Sequence, residues 1–419
     1  MEPRELESLG IPRSGLRGGL SLLSRNADFR NLYTAQLISF AGDWFLLVAL
    51  YGLILDVTGS PVMASLVLIA QLVPSFLVSP IAGALVDRMN RQVLMIGADA
   101  TRAVLCLGFL FVRHPGDIWI VYVLQVLLAV FGAVFEPASS AAVPNLVDPA
   151  DLAMANTLVG SAWGTMLAVG AALGGLVAAT LGRHAAFIGD AVSFAFSAAL
   201  LIQIRRAFNE TRAEEQPGIV AATVETVHYA RRDHRVLALL AVKGGFGLAG
   251  GVLVLLPVFA KKVYHQGDAG IGVLYGFRGL GALIGPFIGR RIAGNTLRGL
   301  FIAIGIALAS FGVFYGVFPL MPTLLAAGPL SAAAHLGGGA QWTLSTYGLQ
   351  TLVPDRIRGR VFAFDFALVT LTITLSNLAA GWAAEAFGPR VAMAALAGVA
   401  LVYSAVWWLA TRRLRAELR

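Results

Sequence analysis

Charge is what this sequence lacks most. Only 13% of its 419 residues are Asp, Glu, Lys or Arg, whereas soluble domains carry about a quarter. So few charges cannot cover the surface of a water-soluble protein of this length, so lipid must surround much of the chain. A hydrophobic fraction of 58% and a mean hydropathy of +0.77 agree with this. The composition excludes a soluble globular protein.

The sequence also has few of the residues and motifs that disulfide bonds, metal sites and nucleotide-binding sites require. The single cysteine, Cys106, lies in an apolar stretch and has no partner for an intrachain disulfide. The six histidines form no metal-spaced pair within an apolar run, so no metal site is expected. No Walker-type P-loop is present. A membrane enzyme would need polar residues clustered at one bilayer face, so neither catalytic residues nor a cofactor is predicted.

A cleavable leader is not expected either. Residues 1–30 are basic and lack the continuous apolar core of a secretory signal. We therefore interpret them as a cytoplasmic tail. The net charge of +8 is spread in short clusters between apolar runs, which is typical of a membrane topology signal and argues against a nucleic-acid partner.

Long apolar runs dominate the rest of the chain. A helix needs about 20 apolar residues to cross a bilayer. The sequence predicts twelve such spans, at 31–56, 61–85, 92–113, 117–142, 152–181, 185–204, 236–260, 269–291, 297–319, 322–350, 361–384 and 389–411.

Basic residues predict the orientation of these spans. With an internal N-terminus, the tails and loops on that side hold 23 Lys or Arg residues. The opposite loops hold five, which are Arg113, Arg183, Lys261, Lys262 and Arg390. This bias places both termini in the cytoplasm.

One long polar linker, 205–235, separates two sets of six spans, 31–204 and 236–411, with a short tail at 412–419. Part of the linker, Val220 to Tyr229, is expected to form an interfacial helix. Gly83 to Arg88 also echoes Gly285 to Arg290 at the corresponding position of the second set. Repeated halves around a central cavity are typical of secondary transporters.

The segment Gly83-Ala-Leu-Val-Asp87-Arg88-Met-Asn-Arg91 resembles the signature of the major facilitator superfamily. The resemblance implies a conformational latch in which Asp87 docks near the start of the eleventh span, where the helix dipole attracts an anion. Arg88 and Arg91 would bind carboxylates or lipid phosphates. Asp365, one turn into that span, is assigned to the latch, although stabilisation by the helix dipole would also account for it.

Further short segments extend the resemblance over nearly the whole chain. They resemble an exporter branch that includes macrolide-efflux and enterobactin-exporter relatives. These segments are Asn26 to Tyr33, Ser39 to Trp44, Thr58 to Pro61, Phe135 to Ala138, Ala155 to Leu158 and Gln350 to Val361. The resemblance implies an all-α membrane protein with two pseudo-symmetric six-helix bundles, acting as a monomer in the bacterial cytoplasmic membrane.

One departure concerns the fifth span. Proton-coupled exporters of this superfamily often carry a Gly-Pro-rich stretch there, and this chain has Gly170-Ala-Ala-Leu-Gly174-Gly175 without proline. The proline kink is lost, which weakens the inference of antiport. The small residues remain, so close helix packing is still predicted.

Charged residues inside spans cost about 2.5–3.5 kcal/mol each on insertion scales, so they are functional candidates. Asp43 lies near the midplane of the first span and is the first candidate for a proton or cation site, the alternative being a pair with Arg102. Asp99 and Arg102 share a helix face and are expected to pair. Glu136 either relays protons or pairs with a loop arginine. Asp190 is expected to have an interfacial or packing role.

The second half carries Lys243 and Arg278 among glycines, which let long side chains reach a cavity. The first half holds four intramembrane acids and one base, and the second holds one acid and two bases. Such a cavity would suit a cationic or zwitterionic amphiphile. Trp44 and Trp342 are among the aromatic residues that could line it.

These features predict a secondary transporter that works by alternating access. The favoured function is proton-coupled export of amphipathic compounds such as drugs or siderophore-like molecules. The alternative is transport of lysophospholipid or another lipid on the same fold. Membrane lipids and protons, or another coupling cation, are the remaining expected partners.

Overall fold

The computed structural model describes residues 16–148, 151–206, 229, 232–294 and 296–417. Within these ranges, every element of regular secondary structure is a helix. The helices are α1 (Leu16–Arg25), α2 (Ala27–Thr58), α3 (Pro61–Arg88), α4 (Arg91–Gly108), α5 (Ile118–Leu146), α6 (Leu152–Thr180), α7 (Arg183–Ile202), α8 (His234–Leu248), α9 (Val252–Val258), α10 (Gly267–Ala293), α11 (Leu297–Val317), α12 (Leu324–Leu352), α13 (Asp355–Phe387), α14 (Pro389–Ala410) and α15 (Arg412–Glu417).

The predicted spans correspond to these helices one by one, with α8 and α9 together forming the seventh. Within the described ranges, eleven helices are long and apolar enough to cross a membrane. The remaining predicted span, 322–350, is α12, which is 29 residues long. Buried polar residues lower its hydropathy, and they are Ser331, His335, Gln341 and Ser345. The predicted twelve-helix fold is confirmed, with α12 as its most polar member.

The packed core shows how the two halves meet. We call the face that carries α1 and α15 the termini face. At that face each half has a core of its own, one built around Phe29 and Phe135 and the other around Phe301 and Trp407. Towards the opposite face a single core joins residues of both halves, such as Tyr51 and Tyr275. Among the described residues, the halves therefore share one core at one face and have separate cores at the other.

Helices α6 and α10 stay in contact along much of their length, most closely away from the termini face. A Cβ atom on Gly175 would lie 2.6 Å from the Gly272 Cα, and one on Gly279 would lie 2.4 Å from the Ala168 Cα. Nearer the termini face, a Cβ on Gly164 would be 3.8 Å from its closest neighbour, Leu283. The close packing predicted for the fifth span is confirmed, because Gly175 allows backbone contact that any side chain would prevent.

The first thirty residues are more than a tail. Within them α1 is an amphipathic helix whose Leu22 is buried in the core of the first half. Asn26 then caps α2 by accepting a hydrogen bond from the Phe29 amide at 2.9 Å, and its own Nδ2 donates to the Leu146 carbonyl at 2.8 Å. Helix α1 thus packs on the first half, because its apolar face is available to pack before the first span.

The seventh span is broken. Residues Ala249 to Gly251 interrupt it between α8 and α9, and a π-helical turn, Phe259–Val263, follows. Side chains from α13 satisfy the freed backbone groups: Ser376 Oγ accepts from the Gly251 amide at 2.9 Å, and Asn377 accepts from Val254 at 3.2 Å. Asn377 Nδ2 also donates to the Gly250 carbonyl at 3.2 Å. Backbone groups inside a bilayer require such partners.

Candidate functional site

Three helices of the first half converge on Arg102, which α4 carries in the interior of the bundle. Its guanidinium donates to Asp43 of α2 at 2.6 Å and to Ser39 at 3.3 Å, and it lies 3.5 Å from Asp99. The Phe194 ring of α7 stacks 3.8 Å from the guanidinium carbon. The predicted Asp99–Arg102 pair is confirmed. For Asp43, the alternative of a pair with Arg102 is the one that the structure contains.

A third carboxylate, Asp190 of α7, completes this group. Of the interfacial and packing roles expected for Asp190, the structure shows the packing one, because its side chain is fully buried. It accepts hydrogen bonds from the Cys106 thiol at 3.1 Å and from Ser193 Oγ at 3.2 Å. A Cβ on Gly42 would lie 2.2 Å from Asp190 Oδ1, so glycine beside Asp43 allows α7 to bring this carboxylate against α2.

We call Asp43, Asp99, Arg102 and Asp190 the acidic cluster. Its members differ in access, since 29% of the Asp43 side chain is exposed whereas those of Asp99 and Arg102 are 0% and 6% exposed. Glu136 of α5 is exposed and lies within electrostatic reach of Asp43 and Arg102. Asp43 is therefore the most accessible member of the cluster.

The charge balance of the acidic cluster determines what it can do. Three carboxylates face one guanidinium, which leaves two negative charges in excess if all are ionised. Each uncompensated charge at this depth costs several kcal/mol. Bound protons remove that excess without any movement of the backbone. The cluster thus has the chemistry of a site that takes up and releases protons.

The second half has a balanced pair at the corresponding depth. Lys243 of α8 forms an ion pair with Asp365 of α13, and both are buried. The Trp342 ring of α12 lies 4.5 Å from Lys243 Nζ. The opposite charges of the Lys243–Asp365 ion pair cancel, and the aromatic face of Trp342 adds a cation–π contact. The charge of Lys243 is therefore neutralised by residues of its own half.

Arg278 of α10 has different surroundings. Its Nε donates to His335 Nε2 at 3.2 Å, and it lies 5.2 Å from the Tyr275 ring. The other ring nitrogen of His335 lies 3.0 Å from Tyr315 Oη. Across the boundary between the halves, the Trp44 ring is 5.8 Å from the guanidinium carbon. Arg278 and Trp44, both predicted as cavity residues, are brought together at the point where the halves meet.

A separate ion cluster joins the halves at the face opposite the termini. Arg183 of α7 donates to both oxygens of Asp268, at 2.7 and 3.0 Å, and also pairs with Asp56. Lys261 bridges the same two carboxylates, at 2.7 Å from Asp56 and 3.0 Å from Asp268. We call these four residues the cross-half cluster. Two acids and two bases balance, so the cluster is a neutral clasp between the halves.

Sequence reasoning missed the cross-half cluster. Arg183 and Lys261 were counted only as loop charges, and Asp56 and Asp268 were given no role. The available signal was the scarcity of charge at that face, since five basic residues serve all its loops. Isolated charges at span ends on a charge-poor face are candidates for pairing with one another.

The predicted latch is described only in part. Gly83, Asp87 and Arg88 lie inside α3, which continues to Arg88 instead of leaving the bundle at Gly83. Helix-breaking residues come only later, and Asn90 then caps α4 by accepting from Gln92 at 2.9 Å. The side chains of Asp87 and Arg88 lie outside the described residues, so their latch role stays a prediction.

The other two latch candidates have partners in their own halves. Arg91 donates to the Ala141 carbonyl at 2.9 Å. Asp365 pairs with Lys243. The docking of Asp87 near the start of α13 therefore remains a prediction, and Arg91 and Asp365 have other contacts in this conformation.

Comparison with known proteins places this geometry in a family. Residues 18–417 match the family model described as transmembrane secretion effector. The chain is 28% identical to the multidrug efflux pump Tap of Mycobacterium tuberculosis, over 87% of this chain and 88% of that protein. It is 27% identical to the uncharacterized MFS-type transporter YfiS of Bacillus subtilis, over 88% and 90% of the two chains.

Solved structures share the fold. A bacterial homologue of the human lysosomal transporter Spinster, in an inward-facing and unoccupied conformation, superposes with a TM-score of 0.73. The match covers 95% of this chain and 98% of that chain at 14% identity. The nucleoside transporter NupG gives the same score at 11% identity, covering 91% and 99%. At these identities the likeness concerns the fold alone.

Proposed function

Because the chain belongs to the transmembrane secretion effector family and has the major facilitator fold, we propose that it exports amphipathic small molecules in exchange for protons. It is a membrane transporter and not an enzyme. Relatives at 27–28% identity include a multidrug efflux pump, which supports export and a broad substrate class. The observation that carries proton exchange is the acidic cluster, with three carboxylates around Arg102.

The exchange follows from the charge of the cluster. Protons that neutralise Asp43 loosen its hold on Arg102, because a neutral carboxyl pairs more weakly with a guanidinium than a carboxylate does. A cationic substrate favours the ionised carboxylate and so competes with the proton. Proton and substrate binding in alternation at one exposed carboxylate is sufficient for antiport.

Alternating access requires two ways of closing the molecule. In this structure the halves are closed at the face of the cross-half cluster and separate at the termini face. Placing the termini face in the cytoplasm, as the basic residues favour, makes this the conformation that accepts substrate from inside. Breaking the cross-half cluster while the latch segment closes would release substrate outside.

The test uses the purified protein in liposomes with an acidic interior and a membrane potential clamped by potassium and valinomycin. The probe is the ethyl ester of rhodamine B, an amphipath with a fixed delocalised cation. One-for-one exchange predicts about tenfold accumulation of the dye for each pH unit. Asp43→Asn, which cannot release a proton, should reduce this accumulation to the level of protein-free liposomes.

The matched control is Asp117→Asn, at a partly exposed aspartate before α5 whose hydrogen-bond partners, the Arg113 and His114 amides, are not part of the acidic cluster. It should accumulate dye like the wild type. Accumulation by Asp43→Asn equal to that of the wild type would overturn the proposed mechanism, and no accumulation by the wild type would overturn the function. A sodium gradient in place of the pH gradient identifies sodium as the coupling ion if it alone drives uptake.

A lipid substrate would meet the same two charge zones, the acidic cluster and Arg278, because a lysophospholipid headgroup is zwitterionic. The same liposomes distinguish this case. Transfer of a fluorescent lysophosphatidylcholine between leaflets, lost in Asp43→Asn and undiminished by rhodamine ester, would assign the lipid function instead.

A further inference from the structure

Arg278 is a buried cation without a carboxylate. Its residue is 7% exposed, and arginine stays protonated in proteins. The other cations deep in the spans are neutralised, Arg102 by Asp43 and Asp99, and Lys243 by Asp365. Among the described residues, no carboxylate lies within ion-pair distance of Arg278. Its charge is left for something else to neutralise.

The neighbours of Arg278 orient the guanidinium without neutralising it. His335 accepts through Nε2, so that nitrogen carries no proton and the ring is neutral in this arrangement. Tyr315 and the Ser331 carbonyl, at 3.0 and 3.3 Å, hold the opposite ring nitrogen. These contacts fix Nε of the arginine. Its two terminal amino groups, which form the fork that binds an oxyanion, have no described hydrogen bond.

The place of Arg278 fits a ligand that enters between the halves. It is the neighbour of Gly279, where α10 touches α6 at Ala168, and it precedes Leu283, where the contact between the two helices is looser. Trp44 from the opposite half lies over the guanidinium at 5.8 Å. Arg278 therefore lies at the boundary between the halves, beside the close contact of α10 with α6 and facing Trp44.

The depth of Arg278 in the membrane and its single charge restrict the chemical class of ligand that it can bind. Arg278 lies eleven residues into α10, or about 16 Å of helical rise, which is about half the bilayer thickness. A resting lipid headgroup stays at the bilayer surface and does not reach this depth. One fixed cation between two aromatic rings balances one negative charge, so a singly charged carboxylate fits better than a dianionic phosphate.

Resting on the proposed export of amphipaths, we infer that Arg278 is a subsite for the carboxylate of the substrate, held by the His335–Tyr315 network. The acidic cluster faces the cationic part of the same molecule from the opposite half. The substrate class is then a zwitterionic amphipath with an apolar body that packs on Trp44 and Tyr275. Cations without a carboxylate are handled, but less well.

The experiment compares rhodamine B, which carries a free carboxylate beside its cation, with its ethyl ester, which keeps the cation and loses the anion. Binding to purified wild-type protein is measured for both dyes by fluorescence anisotropy. We expect rhodamine B to bind at least about tenfold more tightly, the usual size of a charge-assisted hydrogen-bonded pair. Equal or weaker binding of rhodamine B than of its ester overturns the inference.

Variants then locate the preference. Arg278→Gln should lose it and bind both dyes alike, Arg278→Lys should keep part of it, and His335→Gln should reduce it by loosening the guanidinium. Ester binding reports that each variant is folded. A preference that survives in Arg278→Gln overturns the assignment, and so does a wild type that already lacks the preference, whether or not the variants fold.

The two proposals fail in distinguishable ways. If the ester is accumulated under the pH gradient and no carboxylate preference exists, export stands and the Arg278 subsite is wrong. If the wild type binds neither dye, the proposed substrate class fails, and the subsite that rests on it fails with it.

Discussion

The two halves share a fold and bury opposite surpluses of charge. In the first half three carboxylates surround Arg102, and in the second half Asp365 balances Lys243 while Arg278 has no carboxylate partner among the described residues. A repeated architecture therefore presents an anionic site on one side of the central space and a cationic one on the other. The proposed exchange of a proton for an asymmetric substrate depends on this difference in charge.

The halves also differ in how their first spans are built. Helix α2 runs unbroken through 32 residues, whereas its counterpart is divided into α8 and α9 and repaired by Ser376 and Asn377. A continuous helix holds Asp43 at a fixed height beside Arg102. A broken one supplies a point of bending, which is where movement between conformations is expected.

The largest expected difference between the halves is in their tolerance to loss of a cation. Arg102→Gln leaves three carboxylates without a counterion, whereas Lys243→Gln leaves one. Removing one partner of a buried pair costs about 3–5 kcal/mol of folding stability. The loss of stability should be larger for Arg102→Gln than for Lys243→Gln, because one proton suffices to neutralise Asp365. Thermal unfolding in detergent, followed by labelling of the single buried thiol of Cys106, measures both.

Acidity sharpens this comparison. Lowering the pH should recover more stability in Arg102→Gln than in Lys243→Gln, since more carboxylates can be neutralised. Leu378→Ala, an exposed position on α13, is the control for detergent effects. Equal losses in the two variants at every pH would show that the acidic cluster already carries its protons and needs no cation.

An intermediate effect is expected at the helix break. Asn377→Leu removes the partners of the Val254 amide and the Gly250 carbonyl, and each buried group left unsatisfied costs about 1–3 kcal/mol. Hydrogen exchange should become faster at Val254 and its neighbours. Helix α2 serves as the internal reference, and faster exchange there as well would mean general unfolding rather than loss of a local cap.

The smallest effect concerns the caps of the two first spans. Asp233 caps α8, and the hydrogen bond from Arg235, with a further one from the backbone, holds its pKa below the usual value. Asn26 caps α2 and does not titrate. The stability from Asp233 is therefore present above the unfolded pKa, about 3.9, and is lost as the pH falls through the lower folded pKa.

Amide hydrogen exchange at the start of α2 and of α8, corrected for intrinsic exchange rates, measures the stability that each cap contributes. Asp233→Ala should loosen the start of α8 by about 1 kcal/mol at neutral pH, a figure that solvent screening of the exposed Arg235 reduces. Acidification should loosen α8 and leave the start of α2 unchanged. The same acid response at both ends would assign it to the whole bundle.

Local features made much of the fold and part of the site predictable. Apolar run length placed every span within a few residues, and the spacing of Asp99 and Arg102 predicted their contact because both lie on one face of one helix. Asp43 is 59 positions from Arg102, and Asp190 is 84 from Cys106. No periodicity within a helix reports contacts at such separations.

The sequence by itself determined the solvent of this protein, the number and length of its helices, and which charges had to be buried. The cost of exposing polar backbone and charge to lipid forces these outcomes in each helix separately. Only the tertiary structure decided which charges neutralise one another, because that depends on how helices rotate and pack. Only the packing of the helices brings three carboxylates to Arg102 and leaves Arg278 without a carboxylate partner among the described residues.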